Sequence, residues 1–166
     1  RKNLPGLLEA YRVYRAAAVK PRKLKLVGGA GWGGIDPSRL VADLSLGADV
    51  EIVGSISDEV LSQTYDGAFA LVLPSWYEGF GLPVVEALAH GVPVIVSRDS
   101  ALSEVAGKAA YPVDPGSVEE ISNAMLALDG NVDLYGRLEA TAKSQALKYQ
   151  WDDAAAKMYA VLCNQM

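Results

Sequence analysis

The chain has 166 residues, 51% of them hydrophobic and 21% charged, with a formal net charge of −5; that is ordinary for about one soluble domain with a sizeable core. The acidic balance and the absence of a lysine or arginine run exclude a nucleic-acid footprint. A single cysteine, Cys163, excludes a disulfide framework or a cysteine metal site, and its simplest reading is a small apolar residue.

No apolar run approaches the ~20 residues of a membrane span and no signal peptide is visible, so a cytoplasmic setting is expected. The first residues already read as a helix start, as expected of a segment cut from a longer chain. Asn3-Leu4-Pro5 suits that start, with Asn3 as cap and Pro5 tolerated in the first turn. Leu4, Leu7, Leu8, Tyr11 and either Tyr14 or Arg15 recur at helical spacing, and Pro21 closes the region. Residues 23–28 read as a strand, and Asp36-Pro37-Ser38 opens a helix to about Leu46. A second strand covers residues 50–54, and Ser57-Asp58-Glu59 caps a short helix through Tyr65.

The third strand is expected over residues 68–73, followed by a glycine-containing loop and a helix from Leu82 to about His90. Gly91-Val92-Pro93 turns the chain into a fourth strand, residues 94–97, and Ser103-Glu104-Val105 makes a short helical turn. A brief edge strand at 109–113 is followed by Asp114-Pro115-Gly116-Ser117, which caps a helix over 118–128. Two more helices, 131–149 and 151–165, complete the chain. Short apolar strands alternating with helices predict an α/β fold, a parallel sheet covered on both faces. In such sheets ligands sit beyond the carboxyl ends of the strands. The segments 28–34, 54–57, 74–81 and 97–103 are expected to converge on that edge.

Residues 74–97 carry most of the functional signal: Pro-Ser-Trp-Tyr-Glu-Gly-Phe-Gly-Leu-Pro-Val-Val-Glu-Ala-Leu-Ala-His-Gly-Val-Pro-Val-Ile-Val-Ser. A strand, a loop with Gly79 and Gly81, and a helix start together present unpaired N–H groups and a positive dipole end, which suits a phosphate. Glu78 in the loop and Glu86 in the helix bracket this feature. Carboxylates are poor phosphate ligands but good acceptors for sugar hydroxyls, so the pair suggests a ligand with both a diphosphate and sugars. Glu86 lies among Val84, Val85, Ala87 and Leu88, which predict a mostly buried helix where an unpaired carboxylate would be costly. A glycosidase acid–base pair is the competing reading, but such enzymes need no phosphate-type helix start between their acids.

Other features are weaker. Gly29–Gly34 matches a dinucleotide fingerprint, yet the next strand ends Ile52-Val53-Gly54-Ser55 without the acid that holds a ribose, so a loop near the ligand edge is the better reading. Arg1 and Lys2 stand at a helix N-terminus, where cations are mildly unfavourable unless an anion is bound. His90 suits a helix-end or packing role better than catalysis. Trp76 and Tyr77 either line the site or pack.

The stretch 74–97 resembles the retaining glycosyltransferases of family 4, whose signature is two glutamates separated by seven residues within "PSxxEGFGLPxxEAxAxGxPV". The match covers Pro74, Ser75, Glu78, Gly79, Phe80, Gly81, Leu82, Pro83, Glu86, Ala87, Ala89, Gly91, Pro93 and Val94. Arg1-Lys2-Asn3-Leu4 is similar to the family's "PRKNL", Val53-Gly54 with Ser57-Asp58 to its "hxGxhsd", Ser103–Gly107 to its "PEVxG", and Trp151 to the tryptophan before the final helix. The resemblance implies the GT-B fold, with two Rossmann-like domains across a cleft. Residues 1–166 would be the C-terminal, donor-binding half, a three-layer domain with a parallel sheet, lacking the acceptor domain and the first strand of this one.

It further implies a donor site at Arg1, Lys2, Val53, Gly54, Glu78, Gly79, Phe80, Gly81, Leu82 and Glu86, with Lys2 and Glu78 as the catalytic pair. Glu86 would accept from the ribose hydroxyls and Glu78 would face the transferred sugar. Backbone N–H groups at Phe80, Gly81 and Leu82 would hold the diphosphate and sugar, and the backbone at Val53-Gly54 would meet the base. Lys2, helped by Arg1, would neutralise the leaving diphosphate without a metal, so no cofactor is expected and the nucleotide-sugar is substrate. Transfer would retain anomeric configuration, by front-face attack on an oxocarbenium-like centre.

The activity implied is that of a hexosyltransferase of polysaccharide or glycolipid biosynthesis, acting on a glycan or lipid-linked acceptor held by the missing domain. A mannosyltransferase using GDP-mannose is the first choice. The whole enzyme's association with the inner face of a membrane stays open. The isolated domain should bind donor and transfer poorly. Ser103 where proline is usual, and Arg98 where asparagine is common, are departures. The alternatives are a non-catalytic nucleotide-sugar-binding module and a sugar-nucleotide epimerase of GT-B architecture.

Overall fold

The computed structural model describes residues 1–29 and 34–163. The elements follow in the order α1 (Leu4–Ala17), β1 (Leu24–Val27), α2 (Pro37–Asp43), β2 (Val50–Gly54), α3 (Asp58–Asp66), β3 (Leu71–Leu73) and α4 (Leu82–Ala89). Then come β4 (Val94–Ser97), α5 (Ala101–Ala106), a 3-10 turn at Gly107–Ala109, β5 (Ala110–Val113), α6 (Val118–Gly130), α7 (Val132–Ala146) and α8 (Trp151–Cys163). All strand pairs are parallel.

The strands are hydrogen-bonded in two ladders among the described residues, β1-β2 and β3-β4-β5, rather than one continuous sheet. Strand β3 is shorter than the predicted 68–73: the Ala68 N–H closes α3 by donating to the Tyr65 carbonyl at 3.0 Å. Side-chain packing nevertheless joins the ladders. Leu24, Leu26, Val50, Val72, Ile95, Tyr111 and Val113 share one apolar cluster with α1, α2 and α6. Leu73, Val94 and Val96 point the other way, into a second cluster with residues of α4, α5 and α7. That alternation is the period of two expected of strands, and it makes β4 the middle layer, buried at all four positions. Pro112 sits in β5 opposite Val96; as the end strand of its ladder, β5 tolerates a residue with no N–H to give.

α1 buries Leu7, Leu8, Ala10, Tyr11 and Tyr14, so the stripe runs through Tyr14 and leaves Arg15 outside. The Tyr14 hydroxyl donates to Asp129 at the end of α6 (3.0 Å) and the Tyr11 hydroxyl to the carbonyls of Arg22 (2.9 Å) and Asp49 (3.1 Å). These bonds set the axis of α1 and thereby where its N-terminal residues emerge. Asp36, Ser57 and Ser117 cap α2, α3 and α6 as their positions predict, and Asn131, expected inside the helix over 131–149, caps α7 instead. α7 ends at Ala146 rather than Tyr149. α8 buries none of its residues, so Cys163 at its end is exposed rather than an interior apolar residue. No helix of the described residues is long and apolar enough to cross a membrane.

Candidate donor-binding site

The loops that leave the carboxyl ends of the strands share a backbone feature. Gly28 after β1, Gly54 at the end of β2, Gly81 after β3 and Asp99 after β4 have φ of +131°, +76°, +97° and +50°. Glycine adopts positive φ without strain, so the three glycine turns need that residue, and Asp99 is the non-glycine exception among the four. The Gly28 N–H donates to the Gly54 carbonyl at 2.9 Å, which ties the first two loops together. Val53 and Gly54 are half-buried there. The fingerprint loop 29–34 lies largely outside the described residues, which resume at Gly34.

The motif loop and the chain's first residues meet directly. The Trp76 N–H donates to the Arg1 carbonyl at 2.9 Å. Asn3 is not the side-chain cap that its position predicts: it takes a left-handed conformation (φ 54°, ψ 42°) with no side-chain capping bond. Its Nδ2 instead donates to the Pro115 carbonyl at 2.6 Å, in the turn before α6. That turn also packs on Trp76, because a Cβ added to Gly116 would lie 3.3 Å from the indole Cη2. The segment 1–3, the motif loop and the turn 114–117 therefore form one cluster. Arg1 and Lys2 are exposed at it, and no ion pair among the described residues includes either.

Glu78 is half-buried and its Oε1 accepts from the Ser75 hydroxyl at 3.2 Å. A chain of serines supports this arrangement. The Ser97 hydroxyl donates to the Ser75 carbonyl at 2.5 Å, and the Ser100 hydroxyl to the Ser97 carbonyl at 2.6 Å. Ser100 and Ser103 form a capping box at α5, which accounts for the departure at Ser103. Its N–H and hydroxyl serve the cap, a role proline would lack. Ser100→Ala is expected to cost about 1 kcal/mol of stability, seen as a lower urea midpoint at unchanged slope. Arg98, the other departure, is paired with Glu120. An open recess of about 530 Å³ beside α5 is lined by Asp99, Ser100, Ala101, Ser103 and Glu104; two carboxylates there favour hydroxyl groups over phosphate.

Gly79, Phe80 and Leu82 are exposed and Gly81 is buried at the start of α4. The first N–H groups of a helix have no partner within it, so this stretch presents donors. Phe80 sits edge-on to Tyr149 with ring centroids 5.5 Å apart, and Tyr77 is exposed. Glu86 departs from the buried position its neighbours predict. It is exposed, because α4 buries Val84, Ala87 and Leu88 and leaves position 86 on the outer face. It is not unpaired either: the Tyr65 hydroxyl lies 3.2 Å from its Oε2 and 3.3 Å from the Pro83 carbonyl. His90, at the end of α4, places Nδ1 2.7 Å from Asp66 Oδ1 and stacks on Tyr65, a helix-end packing role.

Tyr65, Asn3, the turn 114–117 and the serine chain are the parts that sequence reading does not single out. Their partners lie far away in sequence, and only the spacing of Ser97, Ser100 and Ser103 carried a local hint.

The fold is that of one half of the GT-B glycosyltransferases. The structure matches sucrose-phosphate synthase from Thermosynechococcus elongatus with a TM-score of 0.85 and 26% identity, over 99% of this chain and 42% of that one. The chain belongs to the family Glycosyl transferases group 1, whose model matches residues 1–145. Among its relatives is the O-antigen chain mannosyltransferase B of Escherichia coli, 36% identical over 95% of this chain and 41% of that protein. The MMP alpha-(1->4)-mannosyltransferase of Mycolicibacterium hassiacum is 35% identical over 74% of this chain and 31% of that protein. The chain thus spans between about a third and two fifths of the length of these three proteins.

Proposed function

We propose that the chain is the donor-binding, C-terminal domain of a retaining glycosyltransferase of family 4, and that its donor is a nucleotide-diphospho-sugar, GDP-mannose in the first place. One observation carries this reading: Glu78 precedes and Glu86 follows the glycine-capped start of α4, while the Arg1 carbonyl is bonded to the Trp76 N–H in the same loop. This supports a reading in which sugar acceptors, phosphate donors and the exposed cations Arg1 and Lys2 serve one ligand. The mannosyltransferase names of two relatives support the choice of mannose.

In this reading Glu86 accepts from the ribose hydroxyls and Glu78 faces the sugar to be transferred. The N–H groups of Phe80, Gly81 and Leu82 hold the diphosphate, and Val53-Gly54 borders the base. Lys2 and Arg1 stabilise charge on the departing diphosphate, the main catalytic contribution in such a reaction, and no metal takes part. The acceptor, a glycan or lipid-linked glycan, is held by a second domain. Without that domain these residues bind donor and do not transfer efficiently.

Calorimetric titration with GDP-mannose, UDP-glucose, UDP-N-acetylglucosamine, GDP and UDP, each with and without Mg²⁺, tests this. Selective binding of one donor and its nucleotide, unchanged by Mg²⁺, is the expected result; a strict Mg²⁺ requirement overturns the metal-free mechanism. The anomeric configuration of the product of the complete protein, read by NMR, tests retention and separates transfer from epimerisation. Glu86→Ala is expected to weaken donor binding by about 1.5–3 kcal/mol, the scale of charge-assisted hydrogen bonds. Unchanged affinity removes Glu86 from the site.

A further inference from the structure

Glu86 stands on the outer face of α4, exposed to solvent. A solvated glutamate samples several rotamers, and a side chain that must meet two hydroxyl groups loses affinity for each rotamer it has to give up. Tyr65 meets that need. It is 9% exposed, at the end of α3. The hydroxyl reaches both Glu86 Oε2 (3.2 Å) and the Pro83 carbonyl (3.3 Å). It has a single proton, and the carboxylate is the stronger acceptor of the two.

The ring itself is held. His90 stacks on it with centroids 5.6 Å apart and planes 24° apart, and His90 is anchored in turn by Asp66 at 2.7 Å. Burial, followed by the neighbouring Glu86 carboxylate, pushes the phenol pKa well above its ordinary value, so the hydroxyl remains a donor throughout the neutral range. α3 and α4 are thus linked through Asp66, His90, Tyr65 and Glu86 in sequence, and the link ends on a carboxylate that the fold would otherwise leave free to rotate.

We propose that Tyr65 is a positioning residue for donor recognition: clamped by His90, its hydroxyl fixes the Glu86 carboxylate in the orientation that receives the ribose hydroxyls. This rests on the assignment of Glu86 to the ribose made above. The oxygen that Tyr65 engages is Oε2, which leaves Oε1 and the second lone pair of Oε2 for the ligand.

The test is calorimetry on this chain with GDP and UDP, each beside its 2′,3′-dideoxy form, for the wild type, Tyr65→Phe, Glu86→Gln and the double variant. The wild type should prefer the ribonucleotide. Tyr65→Phe, which keeps the buried ring, should weaken ribonucleotide binding by roughly three- to tenfold, the scale of one hydrogen bond. It should leave dideoxynucleotide binding unchanged, and it should add nothing in the Glu86→Gln background. His90→Ala, which removes the stacked ring without touching the hydroxyl, should give a smaller loss of the same selectivity. It serves as the second variant if the thermal midpoint of Tyr65→Phe falls.

A wild type that does not discriminate the sugars, or a neutral Glu86→Gln, sinks the ribose assignment and the proposal with it. Discrimination that depends on Glu86 but survives Tyr65→Phe and His90→Ala intact overturns the role of Tyr65 alone. An equal loss on ribo- and dideoxynucleotides makes Tyr65 a packing residue and also overturns it.

Discussion

Gly81→Ala is expected to destabilise the domain by about 2–4 kcal/mol and to weaken diphosphate binding beyond what lost stability explains. Two independent costs add. Gly81 has φ of +97°, a conformation that costs an L-residue roughly 1–2 kcal/mol. The added Cβ would also lie 2.3 Å from Leu102 Cδ2. A methyl at a side-chain end can usually move aside, but Leu102 is 0% exposed and lies in the cluster that packs α4 against α5. Overpacking such a site costs roughly 1–3 kcal/mol.

The carbonyl of Gly81 also accepts from the Val84 N–H at 2.8 Å. Any shift that relieves the clash therefore moves the first turn of α4, whose unpaired N–H groups are the ones proposed to hold the diphosphate. Urea unfolding checks the first part through a lower midpoint at unchanged slope. The double variant Gly81→Ala/Leu102→Ala checks the cause: if the clash dominates, its loss is smaller than the sum of the single losses. A Gly81→Ala domain within 0.5 kcal/mol of wild type would mean that neither the conformation nor the contact constrains this turn.

Gly81 also illustrates what the sequence makes legible. Strands, helices and caps depend on near neighbours, so β2 and β4 fall at their predicted residues and Asp36, Ser57 and Ser117 cap where expected. The motif from Pro74 to Val94 is likewise local. Contacts between distant segments leave no such mark. Asn3 reads as an N-cap by every local rule, yet a carbonyl 112 residues away takes its amide. Glu86 reads as buried because its neighbours are apolar, whereas its place on the helix turns it outward, and Tyr65, 21 residues earlier, supplies its partner. The late start of β3 has the same character, since the Ala68 N–H finds the Tyr65 carbonyl of α3 rather than a strand partner.

Lys2→Ala is expected to reduce kcat/KM of the complete protein by roughly 100- to 1,000-fold, about 2.7–4 kcal/mol, the scale of removing one preorganised group that stabilises developing charge. The geometry makes the substitution clean. What joins the first residues to the motif loop is main chain and Asn3: the Arg1 carbonyl on the Trp76 N–H, and the Asn3 amide on Pro115. Removing the lysine side chain leaves both bonds in place, so the loop keeps its position and only the charge is lost.

Solvent decides how large the effect looks in each setting. Lys2 is exposed in this domain, where an ammonium–phosphate attraction is worth about 0.2–1 kcal/mol and is screened by salt. The isolated domain should therefore lose only a few-fold in affinity for GDP or UDP at low salt, less at 0.5 M salt, and nothing for guanosine or uridine. On the proposed reading, the larger loss would belong to the transition state of a two-domain enzyme closed over its substrates, where excluded water lets the same charge act through a lower dielectric. An equal loss for nucleoside and diphosphate, or a loss indifferent to salt, would contradict a phosphate role for Lys2. A complete enzyme whose kcat/KM is unchanged would remove it from catalysis.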